Sequence, residues 1–147
     1  MSLIGTKCIE FNEKRKICVA KERGKSYLLE NESGFSIRKV KVDRCLLQAE
    51  GERRCDYLMS IDNQNNNRVL FIELKGGRLL DAVEQIFDTI LYLREEFDNY
   101  RFDARIVGNG DVPNIKLDPK YRKLAREIIP TQGTIAISTN KKLSERI

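Results

Sequence analysis

Arg68-Val69-Leu70-Phe71-Ile72-Glu73-Leu74-Lys75 is apolar on both alternations from Val69 to Ile72 and then turns charged. A strand written this way is covered on both faces at the centre of a sheet, and Gly76-Gly77 stops it. Residues two apart share a face, so Glu73 and Lys75 project together from its end while Leu74 turns the other way into the core. A carboxylate and an ammonium on an otherwise buried strand cost desolvation unless they are paired, metal-bound or at an opening.

Upstream, Asp62-Asn63-Gln64-Asn65-Asn66-Asn67 is a polar run between two apolar segments and reads as a hairpin tip joining Cys55–Ile61 to this strand. Arms of similar length bring Asp56 across from Glu73. Before it, Phe35–Gln48 nearly alternates as a half-exposed strand, with a break at Arg38-Lys39 that reads as a bulge, and Glu50-Gly51-Glu52 turns the chain into the hairpin. Lys7–Phe11, Ile17–Ala20 and Ser26–Glu30 are short β-leaning pieces separated by turns such as Glu22-Arg23-Gly24-Lys25.

Downstream, Leu79, Val83, Ile86, Ile90, Leu93 and Phe97 step by four and three, laying one apolar stripe on a helix over Leu79–Phe97 that packs on a sheet. Tyr100–Val107 returns as a strand. Asp118-Pro119 caps and starts a helix running through Ile129, and Thr134–Ser138 is a last short strand before a basic tail. This order describes one α/β domain over residues 1–147, in which residues 1–35 form a β-rich N-terminal extension.

The 147 residues are 41% hydrophobic and 33% charged, and none is histidine. That absence removes Ser-His-Asp and Cys-His pairs and imidazole metal ligands, leaving carboxylates, lysines, thiols or bound metal to carry any chemistry. The net charge of +5 is unevenly spread: residues 1–55 hold 13 basic against 8 acidic residues, residues 56–99 hold 4 against 9, and residues 100–147 hold 10 against 5. A carboxylate-bearing centre between two basic flanks suits a cation site with a polyanion-gripping surround. No apolar run reaches the ~18 residues needed to cross a bilayer, and no secretory leader is evident, so no membrane partner and a cytoplasmic location are expected. Cys8, Cys18, Cys45 and Cys55 lack the close spacing of a zinc knuckle or redox dithiol. They read as reduced, partly buried thiols, with a four-cysteine metal site or disulfides as the alternatives.

Two carboxylates as close as Asp56 and Glu73 repel, and a shared divalent cation relieves that. Hard oxygen ligands select Mg²⁺ or Mn²⁺, which keeps waters and accepts a phosphate oxygen. Lys75 is then placed to orient a water or to neutralise charge growing on phosphorus.

Asp56 followed by Glu73-Leu74-Lys75 at the end of a hydrophobic strand resembles the D…(D/E)-x-K signature of the PD-(D/E)XK, restriction-endonuclease-like nuclease superfamily. The likeness covers roughly residues 40–110. It implies a restriction-endonuclease-like core, a central mixed β-sheet with β-hairpins flanked by helices, and Mg²⁺-dependent cleavage of nucleic acid, DNA or RNA, with DNA the favoured substrate. It also implies Asp56, Glu73 and the Leu74 carbonyl as metal ligands, Lys75 as the catalytic lysine and Gln85 as the helix glutamine of RecB-like and resolvase-like members, with Tyr92 placed like the tyrosine some of them use. Cys55 stands where the signature's name has proline. The superfamily's N-terminal helix glutamate has no clear counterpart; Glu30 and Glu32 match by position alone, and Asp43 is a candidate further acid.

Lys120, Arg122, Lys123 and Arg126 cluster in the last helix as candidate phosphate contacts, against the alternative of a solvated face. Gly108-Asn109-Gly110 reads as a turn. No base-reading module lies beyond the core, which points to structure-selective or partner-directed cutting and to a homodimer. Two other readings stand beside the nuclease. One is a non-catalytic protein on the same fold that binds nucleic acid or a partner protein. The other is an unrelated α/β domain in which Glu73 pairs with Lys75 or Arg78.

Overall fold

The computed structural model describes residues 4–47, 54–74, 78–110 and 113–147. Its elements, in chain order, are β1 (Ile9–Glu13), β2 (Ile17–Glu22), β3 (Lys25–Glu30), β4 (Ser36–Lys41), β5 (Tyr57–Asp62), β6 (Arg68–Leu74), α1 (Leu79–Leu93), β7 (Arg101–Val107), α2 (Pro119–Ile128), β8 (Ile135–Ser138) and β9 (Lys142–Arg146). The fold is α/β, with a mixed six-stranded sheet in the order β1-β4-β5-β6-β7-β8 and a second sheet in the order β2-β3-β9. The first four strands of the large sheet pair antiparallel, and β6, β7 and β8 run parallel.

The apolar run of β6 is buried on both faces because it feeds two cores. Val69 and Phe71 pack with the α1 stripe (Leu79, Val83, Ile86, Ile90 and Leu93) and with Leu124 and Ile128 of α2. Leu70, Ile72 and Leu74 pack instead with Ala20, Tyr27 and Leu29 of the small sheet. Each such side chain contributes roughly 1.5–3 kcal/mol on burial, so the central strand is held from above and below. Asp118 caps α2 by accepting from the Lys120 N–H at 2.8 Å, and Pro119 occupies the first turn.

Several expectations are corrected. The strand expected over Phe35–Gln48 ends at Lys41, and the chain then turns, with an isolated bridge from Asp43 to Leu47; Gln48 lies outside the described residues. Arg38-Lys39 holds no bulge, since β4 pairs with β5 without a register break. The irregularity falls between Ile9 and Phe11 of β1. The phase shift in the sequence has another cause: Ile37 packs into the core under the small sheet and Val40 into the helix-side core, so both faces of β4 are covered. The helix expected over Leu79–Phe97 ends at Leu93, although Phe97 stays buried in the turns that follow. Lys7 lies in a 3₁₀ turn rather than the first strand. Ile135–Ser138 is not the last strand. The basic tail forms β9, parallel to β3 with Ser26 opposite Lys142.

The cysteines also depart from the expectation of four thiols. Cys8 and Cys45 form a disulfide, while Cys18 and Cys55 are free and buried. The bridge joins cysteines 37 residues apart, because the segment before β1 and the turn after β4 meet beside the helix-side core. No helix among the described residues is long and apolar enough to cross a membrane.

Candidate functional site

The β5–β6 hairpin turns through residues 63–67, where the Asn63 N–H donates to Asn67 Oδ1 at 3.0 Å and the Asn66 N–H to the Asn63 carbonyl at 2.8 Å. Its register pairs Tyr57 with Ile72, so the next step places Asp56 across from Glu73. Each carboxylate binds the opposite backbone: the Asp56 N–H donates to Glu73 Oε1 at 3.0 Å, and the Leu74 N–H donates to Asp56 Oδ2 at 2.9 Å. Both acids are buried. The pair therefore takes over the hydrogen bonds that the end of a ladder leaves open.

α1 braces the chain leading into Asp56. The Cys55 N–H donates to Thr89 Oγ1 at 2.9 Å, Thr89 Oγ1 donates to the Gln85 carbonyl at 2.7 Å, and Gln85 Nε2 donates to the Arg54 carbonyl at 3.3 Å. Gln85 thus stands on the helix that supports the acid pair, with its amide on the backbone two residues before Asp56. Its Oε1 is buried without a hydrogen-bond partner among the described residues.

Arg23 is the site residue that the sequence did not single out. It comes from the β2–β3 turn, where Arg23 (φ 53°) and Gly24 (φ 75°) are both left-handed, as a tight hairpin of this hand requires. Glu22 pins that turn to the large sheet by accepting from Tyr57 Oη at 3.0 Å and pairing with Lys41 at 3.3 Å. From there Arg23 Nη1 reaches 3.5 Å from each Asp56 oxygen and donates to the Leu74 carbonyl at 3.0 Å. Glu22-Arg23-Gly24-Lys25 reads in sequence only as a charged turn; that the turn folds over the acid pair depends on the packing of one sheet on the other.

Burial pushes the Asp56 carboxyl above its ordinary range, and the Leu74 N–H and the Arg23 guanidinium oppose it only in part. For Arg23, desolvation works against the charge, but Asp56, Glu73 and Glu22 outweigh it and raise its pKa. Burial, and then the Glu73 charge, push the Cys55 thiol well up, and burial raises Cys18. Neither thiol is set up as a thiolate nucleophile.

Three oxygens, two from Asp56 and one from the Leu74 carbonyl, converge on a single positively charged nitrogen. A set of hard oxygen donors around one positive centre fits a hard divalent cation. The expected site residues are partly assembled. Asp56, Glu73 and Leu74 come together, and Lys75 lies outside the described residues. Asp43 sits in the turn after β4, and among the described residues no three acidic or thiol side chains gather as a metal cluster. Tyr92 is exposed near the end of α1. On α2, Lys120 pairs with Glu84 of α1 at 2.5 Å and Lys123 lies over the Phe87 ring at 5.8 Å, while Arg122 and Arg126 are exposed. Two of the four candidate phosphate contacts therefore also join the helices. Arg78 pairs with Asp81 at 3.6 Å. No family model, curated protein or solved structure matches the chain.

Proposed function

We propose that the chain is a metal-dependent nuclease on a restriction-endonuclease-like core, acting on the phosphodiester backbone of nucleic acid, with DNA as the favoured substrate. The observation that carries this reading is the convergence of Asp56 and the Leu74 carbonyl on one cationic atom, beside Glu73, at the end of the central strand. Asp56, Glu73 and the Leu74 carbonyl would hold Mg²⁺ or Mn²⁺. A divalent ion bound there supplies Lewis acidity toward a phosphate oxygen and a nucleophile drawn from water. Lys75, two residues after Glu73, is assigned the orientation of that water by the sequence pattern, and Gln85 and Thr89 position the Asp56 segment. Arg23 supplies positive charge at the same place, where it can face a phosphate.

The same contact favours a second reading, a non-catalytic nucleic-acid-binding protein in which the Arg23 guanidinium permanently takes the cation's place. One experiment separates the two. Purified protein is incubated with single-stranded, duplex and branched DNA and with RNA, in Mg²⁺, Mn²⁺ or EDTA, beside Glu73→Gln and Lys75→Ala. Metal-dependent cleavage lost in both variants is the expected result. Equal cleavage by wild type and variants, or none by any, overturns the nuclease.

A further inference from the structure

Beside the acid pair, a cavity of about 480 Å³ opens between the β2–β3 turn and the start of β9, lined by Lys21, Glu22, Arg23, Gly24, Lys25, Ser26 and Lys142. Its basic side chains come from opposite ends of the chain and meet because β3 pairs with β9, the Ser26 N–H donating to the Lys141 carbonyl at 3.0 Å. Four cations line it against one carboxylate, and that carboxylate, Glu22, is already engaged by Tyr57 and Lys41. Lys21 and Lys142 are exposed at the rim. Lys25 is different: it is 5% exposed, and its ammonium has one acceptor, the Arg23 carbonyl at 3.3 Å, with no carboxylate in ion-pair range among the described residues.

A buried ammonium is costly unless an anion or several acceptors compensate it, and the open side of this cavity is the place from which one can arrive. We propose that the cavity is a phosphate-binding site, with Lys25 at its floor and Lys21 and Lys142 at its rim. Its ligand is a backbone phosphate of a polynucleotide, next along the strand from the phosphate at Asp56 and Glu73. Arg23 joins the two places, its carbonyl receiving Lys25 and its guanidinium reaching Asp56. The anion chemistry stands on the cavity itself; that the anion belongs to a polynucleotide rests on the nuclease reading.

The test is binding of a short labelled single-stranded DNA, followed by fluorescence anisotropy in EDTA so that no cleavage intervenes, at a series of salt concentrations. Lys25→Met and Lys142→Ala are compared with wild type and with Lys14→Ala, an exposed lysine at the opposite end of β2 from the cavity, and thermal melting shows whether each is folded. Both cavity variants are expected to weaken binding roughly tenfold and to lower the salt slope by about 0.7, the share of one phosphate contact on a single strand. Lys142 is exposed, so its variant tests the site even where Lys25→Met fails to fold. Orthophosphate binding is measured beside it by calorimetry, and affinities of the folded cavity variants for both DNA and orthophosphate within the error of wild type overturn the site. Loss of orthophosphate binding in the variants with DNA binding unchanged overturns the polynucleotide as its ligand. Glu73→Gln and wild type are run in parallel for cleavage. Binding that depends on Lys142 in a chain that never cuts leaves the phosphate site standing and removes the nuclease; cutting with no dependence on Lys25 or Lys142 does the reverse.

Discussion

Arg23 and Asp56 lie 33 residues apart in the chain, yet Arg23 Nη1 stands 3.5 Å from both oxygens of the Asp56 carboxylate while it donates to the Leu74 carbonyl. A guanidinium there relieves the repulsion between two buried acids, at the position proposed for a divalent ion.

Competition between the two cations gives the first prediction. Arg23→Met lowers the melting temperature in EDTA by a few degrees, about 1 kcal/mol, since the arginine is half exposed and its pair partly screened. Added Mg²⁺ or Mn²⁺ then raises the melting temperature of Arg23→Met more than that of wild type, because the ion no longer displaces an arginine. Thermal melts across a metal titration measure this, and an equal or smaller metal response in the variant refutes it.

The Cys8–Cys45 bridge closes a sequence separation of 37 residues that contains β1, β2, β3 and β4. Constraining a loop of that length in the unfolded chain is worth about 4 kcal/mol. Cys45→Ser, or a reductant acting on wild type, is therefore expected to lower the melting temperature by about 10 °C. Adding reductant to Cys45→Ser should change nothing further, since Cys18 and Cys55 are already thiols.

Asp103 is fully buried among Arg68 at 3.0 Å, Arg101 at 3.1 Å and Arg105 at 3.7 Å, and it accepts from the Thr134 N–H at 2.8 Å. Burial alone would raise its pKa, but Arg68, that N–H, Arg105 and Arg101 together hold it below the ordinary carboxylate range. The folded chain thus binds this proton less readily than the unfolded chain, whose aspartate titrates near about 3.9. The stability from Asp103 is present above that pH and is lost as pH falls through the lower folded value. Asp56 is shifted the other way, so its contribution is lost as pH rises, and only a comparison of variants isolates Asp103. Asp103→Asn should cost about 3–5 kcal/mol at neutral pH and flatten the acid limb of the stability curve. Urea unfolding over a pH series reads both effects.

Gly133 passes so close to β7 that a Cβ built on it would lie 1.5 Å from the Phe102 carbonyl oxygen. Backbone cannot yield there as a flexible side chain would, so Gly133→Ala should destabilise by about 3 kcal/mol or more. Chemical denaturation against Gly5→Ala, which meets nothing within 4 Å, supplies the control; equal stability of the two variants would refute the close approach.

The sequence alone determined what short-range periodicity governs. The continuous apolar run of Val69–Ile72 and the polar tip over 62–67 place a buried hairpin, and its register puts Asp56 across from Glu73 because strand pairing through a short turn is local arithmetic. The stripe from Leu79 to Leu93 gives α1, and Asp118-Pro119 gives the start of α2. Only the tertiary structure decided the rest of the site. Arg23 over Asp56, Lys25 beside Lys142 and Cys8 bonded to Cys45 all join residues far apart in the chain, and no local pattern records which partners meet. The small sheet shows the same limit: β9 reads as a charged tail because three of its five residues face solvent, and it becomes a strand through its pairing with β3, with Glu145 accepting from Tyr27 Oη at 2.7 Å and pairing with Arg105 at 2.6 Å. Hydrophobic pattern fixes which face of an element is buried; which second element buries it is set by shape and by the pairing of charges once the layers are stacked.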